Sequence, residues 1–173
     1  MKNSEKIVYT CSKFAVTEKD FKLPNGRIVK NYPFIKRGPG ALILAFKGNK
    51  LLLLKEYRPI LKSWVYQLPG GKIDGKEAPS KGARREVEEE TGYKVKSIKQ
   101  LFGAWLSPSF IKQYNYFFVA QLADKGNQKL EFDENIKIEF ITLDNVLHMI
   151  MNGKITSMPS IAGILYYAMN YRK

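Results

Sequence analysis

The segment from Pro79 to Thr91 carries its charges in an unusual order: Arg84 and Arg85 come first, and Glu86, Glu88, Glu89 and Glu90 crowd the end. Pro79 suits the first turn of a helix and Gly92 its stop. A helix C-terminus bears partial negative charge, so each carboxylate there is unfavourable by about 0.3–1 kcal/mol. Glu86 and Glu90, at i and i+4, repel by a further ~0.2–0.5 kcal/mol, and the Arg85–Glu89 pair recovers a similar amount. Stability alone does not select such a helix. Glu86, Glu89 and Glu90 fall at i, i+3 and i+4, on one face, while Ala83 and Val87 mark a different, apolar face. Clustered carboxylates are hard oxygen ligands for Mg²⁺ or Mn²⁺, and Mg²⁺ commonly completes its shell with water and substrate phosphates. Leu68-Pro69-Gly70-Gly71 lies just upstream, where glycine lets main chain approach a ligand closely. A solvated acidic helix is the alternative; the reversed charge order and the glycine turn argue against it.

The elements that must position these groups follow from hydrophobic pattern and turn residues. Ala41–Phe46, Gly48-Asn49 and Leu51–Lys55 read as two strands joined by a tight hairpin. Their near-continuous apolar runs predict a sheet covered on both faces. Tyr116–Leu122 and Ile136–Ile141 read as further strands, Asp144–Asn152 and Ser160–Asn170 as helices, the first stopped by Gly153. Residues 1–38 alternate loosely around a Leu23-Pro24-Asn25-Gly26 turn and read as short strands ahead of the main unit. The class is α/β, with helices for both sides of a sheet.

Composition sets the outer limits. A chain of 173 residues fits one core, and 45% hydrophobic residues exclude a disordered or collagen-like protein. The single Cys11 excludes an intramolecular disulfide framework and a cysteine-based zinc site. Apolar runs fall far below the roughly 20 residues of a membrane span. Met1–Lys6 leads into no apolar core, so no secretory signal is expected and the expected compartment is the cytoplasm. The formal net charge is +13, from 23 lysines and 6 arginines spread between Lys2 and Lys173. Lysine is a hydrated point charge rather than a planar phosphate reader, so this is read first as a solubilising surface that also attracts small anions.

The full spacing is more specific. Gly71, five residues, Glu77, seven residues, then Arg85-Glu86-Val87-Glu88-Glu89-Glu90-Thr91-Gly92-Tyr93 resembles the Nudix hydrolase signature, G-x5-E-x7-R-E-U-x-E-E-x-G-U. Tyr93 is its least typical position. The resemblance implies an α/β/α sandwich with a mixed sheet, spanning residues 39–173. Residues 1–38 would be an N-terminal β segment able to serve as a dimer-exchange arm. It implies hydrolysis of a nucleoside diphosphate linked to another group, with Mg²⁺ (or Mn²⁺) as cofactor. Glu86 and Glu90 would bridge metal, Glu89 would be a further ligand or a base, and Gly70 would offer its carbonyl. Arg85 would orient the glutamates; Gly71 and Glu77 would brace the loop and helix start. A carboxylate outside the box often acts as base, for which Glu134, then Asp133, are the candidates, with an ordinary charged turn as the alternative.

Three features resemble the ADP-ribose pyrophosphatase-like branch. Pro108 stands sixteen residues after Gly92, although Ser109 replaces the usual glycine after it. Glu56-Tyr57-Arg58-Pro59 and Trp64 to Gly71 resemble the strand and loop leading to the box. That branch more often has Glu at position 67 and Ala at position 70, where this chain has Gln67 and Gly70. Ile161–Leu165 resembles the C-terminal helix. Arg58 and Arg37 are candidates to hold the diphosphate, against surface ion pairing. Phe14 is set between base stacking and the core. His148 is expected to be structural and Cys11 buried or half-buried. The expected activity is hydrolysis of ADP-ribose to AMP and ribose 5-phosphate by a homodimer, with no membrane partner. GDP-mannose, a dinucleotide, NADH or capped RNA are alternative substrates, and a non-catalytic nucleotide- or RNA-binding module is a third reading.

Overall fold

A computed structural model describes residues 5–171; Met1–Ser4, Arg172 and Lys173, which include the ends of both expected segments, lie outside the described residues. Two compact units are present. One holds the described residues up to Pro39 together with Ala104–Asn115; the other holds Gly40–Gly103 and the residues from Tyr116 on.

The first unit is a meander of β1 (Lys6–Thr10), β2 (Ala15–Lys22) and β3 (Ile28–Lys36), each antiparallel to the next. The expected turn joins β2 to β3: Gly26 has φ +84° and donates its N–H to the Leu23 carbonyl at 2.9 Å. β3 pairs in parallel with the start of β8 (Ile111–Lys125), Ile35 opposite Ile111. The sheet is therefore mixed.

The second unit is built on β4 (Gly40–Lys47) and β5 (Lys50–Arg58), whose hairpin places Phe46 opposite Leu51. Alternate residues serve different layers. Ala41, Ile43, Ala45, Leu52 and Leu54 pack with Ala83 and Val87 of α1 (Pro79–Thr91). Leu44, Phe46, Leu51 and Leu53 pack with Val146 of α2 (Leu143–Met151) and Ile164 of α3 (Met158–Tyr171). Both faces are thus covered, the α/β/α sandwich expected, and this is why these strands lack polar alternation. The rest of the unit adds β6 (Ser63–Gln67) beside β5, β9 (Ile136–Thr142) also on β5, and β7 (Tyr93–Ser107) on β8. β6 and β7 go beyond the sequence expectation; β7 shows alternation only in its first residues, where Tyr93 and Val95 are buried and Lys94 and Lys96 exposed.

Among the described residues no helix is long and apolar enough to cross a membrane. Two expectations fail here. Cys11 is exposed, because it sits in the β1–β2 connection, where its N–H and thiol both donate to the Phe14 carbonyl. Phe14 is likewise exposed rather than a core residue, and His148 lies exposed on α2.

Candidate active site

α1 starts where Pro79 fixes its first turn, and it ends at Gly92, φ +73°, whose N–H caps the Glu88 carbonyl at 2.9 Å. The acidic end is tolerated because the segment after β8 covers it. Gln128 Nε2 donates to the Glu90 carbonyl at 2.7 Å, and the Lys129 N–H donates to the Glu89 carbonyl at 2.8 Å. Lys94 pairs with Glu88 at 2.9 Å.

Arg85 is the hub of the helix face. Its Nη1 donates to Glu86 at 2.9 Å and to Glu89 at 3.0 Å; its Nη2 donates to Glu77 at 3.0 Å and to the Lys72 carbonyl at 2.9 Å. Glu77 also accepts the Asp74 N–H at 2.8 Å, closing the loop onto the helix. These bonds, Arg85 first, hold the Glu77 carboxyl below the usual range. Gly71 and Gly82 have a shared reason to be glycine: a side-chain carbon at Gly71 would strike the Glu86 carboxylate, and one at Gly82 would meet Glu77 Oε1 at 2.8 Å.

Glu90 occupies a different position from the one expected. It lies with Ala83, Val87 and Thr91 on the buried side and is only 5% exposed, because an i, i+3, i+4 triplet spans enough arc for its last member to reach the sheet. Its Oε2 accepts the Gly70 N–H at 2.8 Å. Burial pushes its carboxyl well above the ordinary range, and the charges of Glu86, Glu134 and Glu56 push further, against that one hydrogen bond. Burial likewise raises Glu86 to about 7, opposed by Arg85. Glu89 is the outer member, 41% exposed. With Arg85 it borders a cleft of about 510 Å³ that Lys81, Arg84, Lys94 and Lys129 also line.

The donor set can be tested for a divalent cation. Among the described residues no three carboxylate, histidine or cysteine side chains converge on one point. Arg85 takes up Glu86 and Glu89, and the Gly70 N–H takes up Glu90. The chemistry nevertheless fits. Glu86, half-buried, and Glu90, buried, are oxygen donors whose charged forms burial disfavours, a cost that a hard cation carrying water and phosphate oxygens would offset.

Sequence reasoning passed over Glu56 as a site residue. It is 5% exposed and bonded through both oxygens, to Arg58 Nη1 at 2.7 Å and to Gln67 Nε2 at 2.6 Å. Arg58 Nη2 closes a ring by donating to Gln67 Oε1 at 2.9 Å. The period of β5 was the available signal, since Leu52, Leu54 and Glu56 share the face that α1 covers. Glu134 stands in a turn, its carboxylate accepting the Glu131 N–H at 2.8 Å, and its charge acts on Glu56, Glu86 and Glu90. The charge of Asp133 acts on Glu56. Arg37 and Pro108 belong to the first unit. Arg37 is exposed, and Pro108 lines a cavity of about 370 Å³ with Lys19, Tyr32, Trp105 and Lys112.

The chain is similar to known proteins. Residues 36–160 match the NUDIX domain. ADP-ribose pyrophosphatase of Bacillus subtilis (strain 168) is 28% identical over 149 residues, 85% of this chain and 80% of that protein. Methanol dehydrogenase activator of Bacillus methanolicus is 33% identical over 151 residues, again 85% and 80%. GDP-mannose pyrophosphatase of Enterobacter sp. (strain 638) is 30% identical over 149 residues, 79% and 77%. Among solved structures, an ADP compounds hydrolase superposes with a TM-score of 0.82 at 20% identity, covering 96% of this chain and 90% of that one. At that identity the likeness speaks for the fold.

Proposed function

The chain belongs to the Nudix family and is a Nudix hydrolase, and we propose that it cleaves the diphosphate bond of a nucleoside diphosphate sugar, ADP-ribose first, giving AMP and ribose 5-phosphate. The observation that carries this reading is the pair of carboxylates held against the Gly70-Gly71 turn: Glu90, buried and bonded to the Gly70 N–H, and Glu86, half-buried beside Gly71. The name of the Bacillus subtilis relative adds the substrate class.

Nudix hydrolases generally use a divalent metal, here proposed to be Mg²⁺, with Mn²⁺ able to substitute. Glu86, Glu89, Glu90 and the Gly70 carbonyl would hold it. When bound, it would neutralise the diphosphate and make water a better nucleophile. The chain's own groups do the rest. Arg85 orients Glu86 and Glu89 through its two bonds from Nη1. Arg58 offers planar donors to the diphosphate. Glu134 takes a proton from the attacking water. The water oxygen bonds to one phosphorus, the bridging P–O bond breaks, and its electron pair leaves with the other phosphate.

AMP release from ADP-ribose with Mg²⁺ is the test, and wild-type activity no greater than that of Glu89→Gln or Glu90→Gln would overturn the reading. A second reading, GDP-mannose as substrate, is favoured by the Enterobacter relative. A panel with dinucleotides, NADH and capped RNA ranks all of them by kcat/KM; an RNA preference falling steeply with salt would point to the last. Tight nucleotide binding without product at any divalent concentration would instead indicate a binding module.

A cytoplasmic homodimer is the proposed working form, with residues 1–38 as the exchange arm. β1 supports it, since Ile7, Val8 and Tyr9 are each more than half exposed. Light scattering on the full chain, with a monomer as the overturning result, tests it.

A further inference from the structure

We propose that Glu56 is a positioning residue for Arg58, sharing with Gln67 a closed ring that fixes the guanidinium against the diphosphate. The inference rests on the reading of Arg58 as a diphosphate contact. Three bonds form the ring: Arg58 Nη1 to Glu56 Oε1 at 2.7 Å, Gln67 Nε2 to Glu56 Oε2 at 2.6 Å, and Arg58 Nη2 to Gln67 Oε1 at 2.9 Å.

The register of β5 and β6 makes this possible. Leu54 stands opposite Gln67 and Glu56 opposite Val65, so Gln67 and Glu56 are diagonal neighbours on one face. Arg58 is the next residue on that face of β5. Glu56 and Gln67 are buried, whereas the Arg58 side chain is 42% exposed. The guanidinium is therefore gripped along one side and open on the other. An unrestrained arginine would have to lose rotamer freedom on binding substrate; here that ordering is already made in the folded chain.

The ring has a chemical symmetry that a packing contact would not have. Arg58 donates to both partners, and between them the amide donates to the carboxylate. If the carboxylate stood at position 67 and the amide at position 56, all three bonds could be redrawn with the same donors and acceptors. What the ring requires is one carboxylate and one amide, in either order. In this chain the carboxylate is Glu56 on β5 and the amide is Gln67 on β6.

Steady-state kinetics on the full chain with ADP-ribose and Mg²⁺ tests this. Glu56→Ala, which removes two of the three bonds, should raise KM by about 10–100-fold with a smaller change in kcat. The combined Glu56→Gln, Gln67→Glu variant should stay within about threefold of the wild-type KM. In an Arg58→Ala background, Glu56→Ala should add no further change in KM, because its effect travels through the guanidinium. Thermal melting of each variant separates folding from positioning. An unchanged KM in Glu56→Ala, or a folded swap variant as impaired as Glu56→Ala, overturns the proposal. Independent, additive effects of Glu56→Ala and Arg58→Ala on KM also overturn it. A wild type inactive on every nucleotide of the panel overturns instead the functional reading on which it rests.

Discussion

Glu56 and Glu90 are equally hidden, each 5% exposed, and their surroundings differ sharply. Glu56 uses both oxygens, one on a guanidinium and one on an amide. Burial raises its carboxyl, but Arg58 and Gln67 pull the other way. For Glu90 a single backbone N–H, from Gly70, opposes burial and the charges of its neighbours. A buried carboxylate with its own counter-ion belongs to the scaffold that aims other groups. One without is poised for a ligand that arrives with charge.

The sharpest way to break this comparison is to neutralise each residue in turn. Glu90→Gln should lower kcat by about 10³-fold or more while leaving the metal-free protein at least as stable at pH 8, since it removes an unfavourable charge and keeps an acceptor for Gly70. A loss of stability equal to that of Glu56→Ala would erase the distinction. Glu56→Ala should destabilise the fold by about 3 kcal/mol, read from denaturant midpoints, because Arg58 and Gln67 lose their shared partner.

Gly71→Ala should come next, lowering kcat/KM by about 10–100-fold with little change in melting, because the added carbon displaces the Glu86 carboxylate. Normal activity would mean that Glu86 has no fixed position to lose.

The pH response sharpens the comparison without substitution. The folded-state pKa of Glu86 is raised to about 7, so the native state holds a proton that the unfolded chain releases near 4.5. Stability is then full below about 4.5 and falls as pH rises through about 7, by on the order of 1–3 kcal/mol. Glu90 and Glu56, also raised, act in the same direction. Added Mg²⁺ should reverse the fall at pH 8 and release protons, measurable by calorimetry in two buffers. A melting temperature that rises from pH 5 to pH 8 without metal would contradict the assignment. The smallest effect belongs to the exposed Lys94–Glu88 pair, where Lys94→Ala should change stability by at most ~0.5 kcal/mol.

Much of this was legible from the chain. Pro79 and Gly92 mark α1 at both ends as drawn, because Pro at the first turn and a left-handed glycine after the last are local requirements. The β4–β5 hairpin and its double cover follow from apolar runs that no solvated face would carry. The ring was not legible, since Glu56 and Gln67 are eleven positions apart and meet only through the β5–β6 register. Nor was the burial of Glu90: helical spacing gives an arc, and only packing against β4 decides how much of that arc is covered. Cys11 misled for a similar reason, its usual preference for the interior yielding to a short connection at the edge of a sheet.

The alternation of β5 between two layers has a consequence for insertions and deletions. Removing one residue between Leu51 and Leu54 would send Glu56 toward the layer of α2 and α3 and strand Arg58 without its ring. Lengthening the β5–β6 connection at Ile60, which is 92% exposed, would leave both strands in register. Tolerated changes in chain length should therefore gather at that tip, and the nine positions of β5 should behave as an indivisible unit.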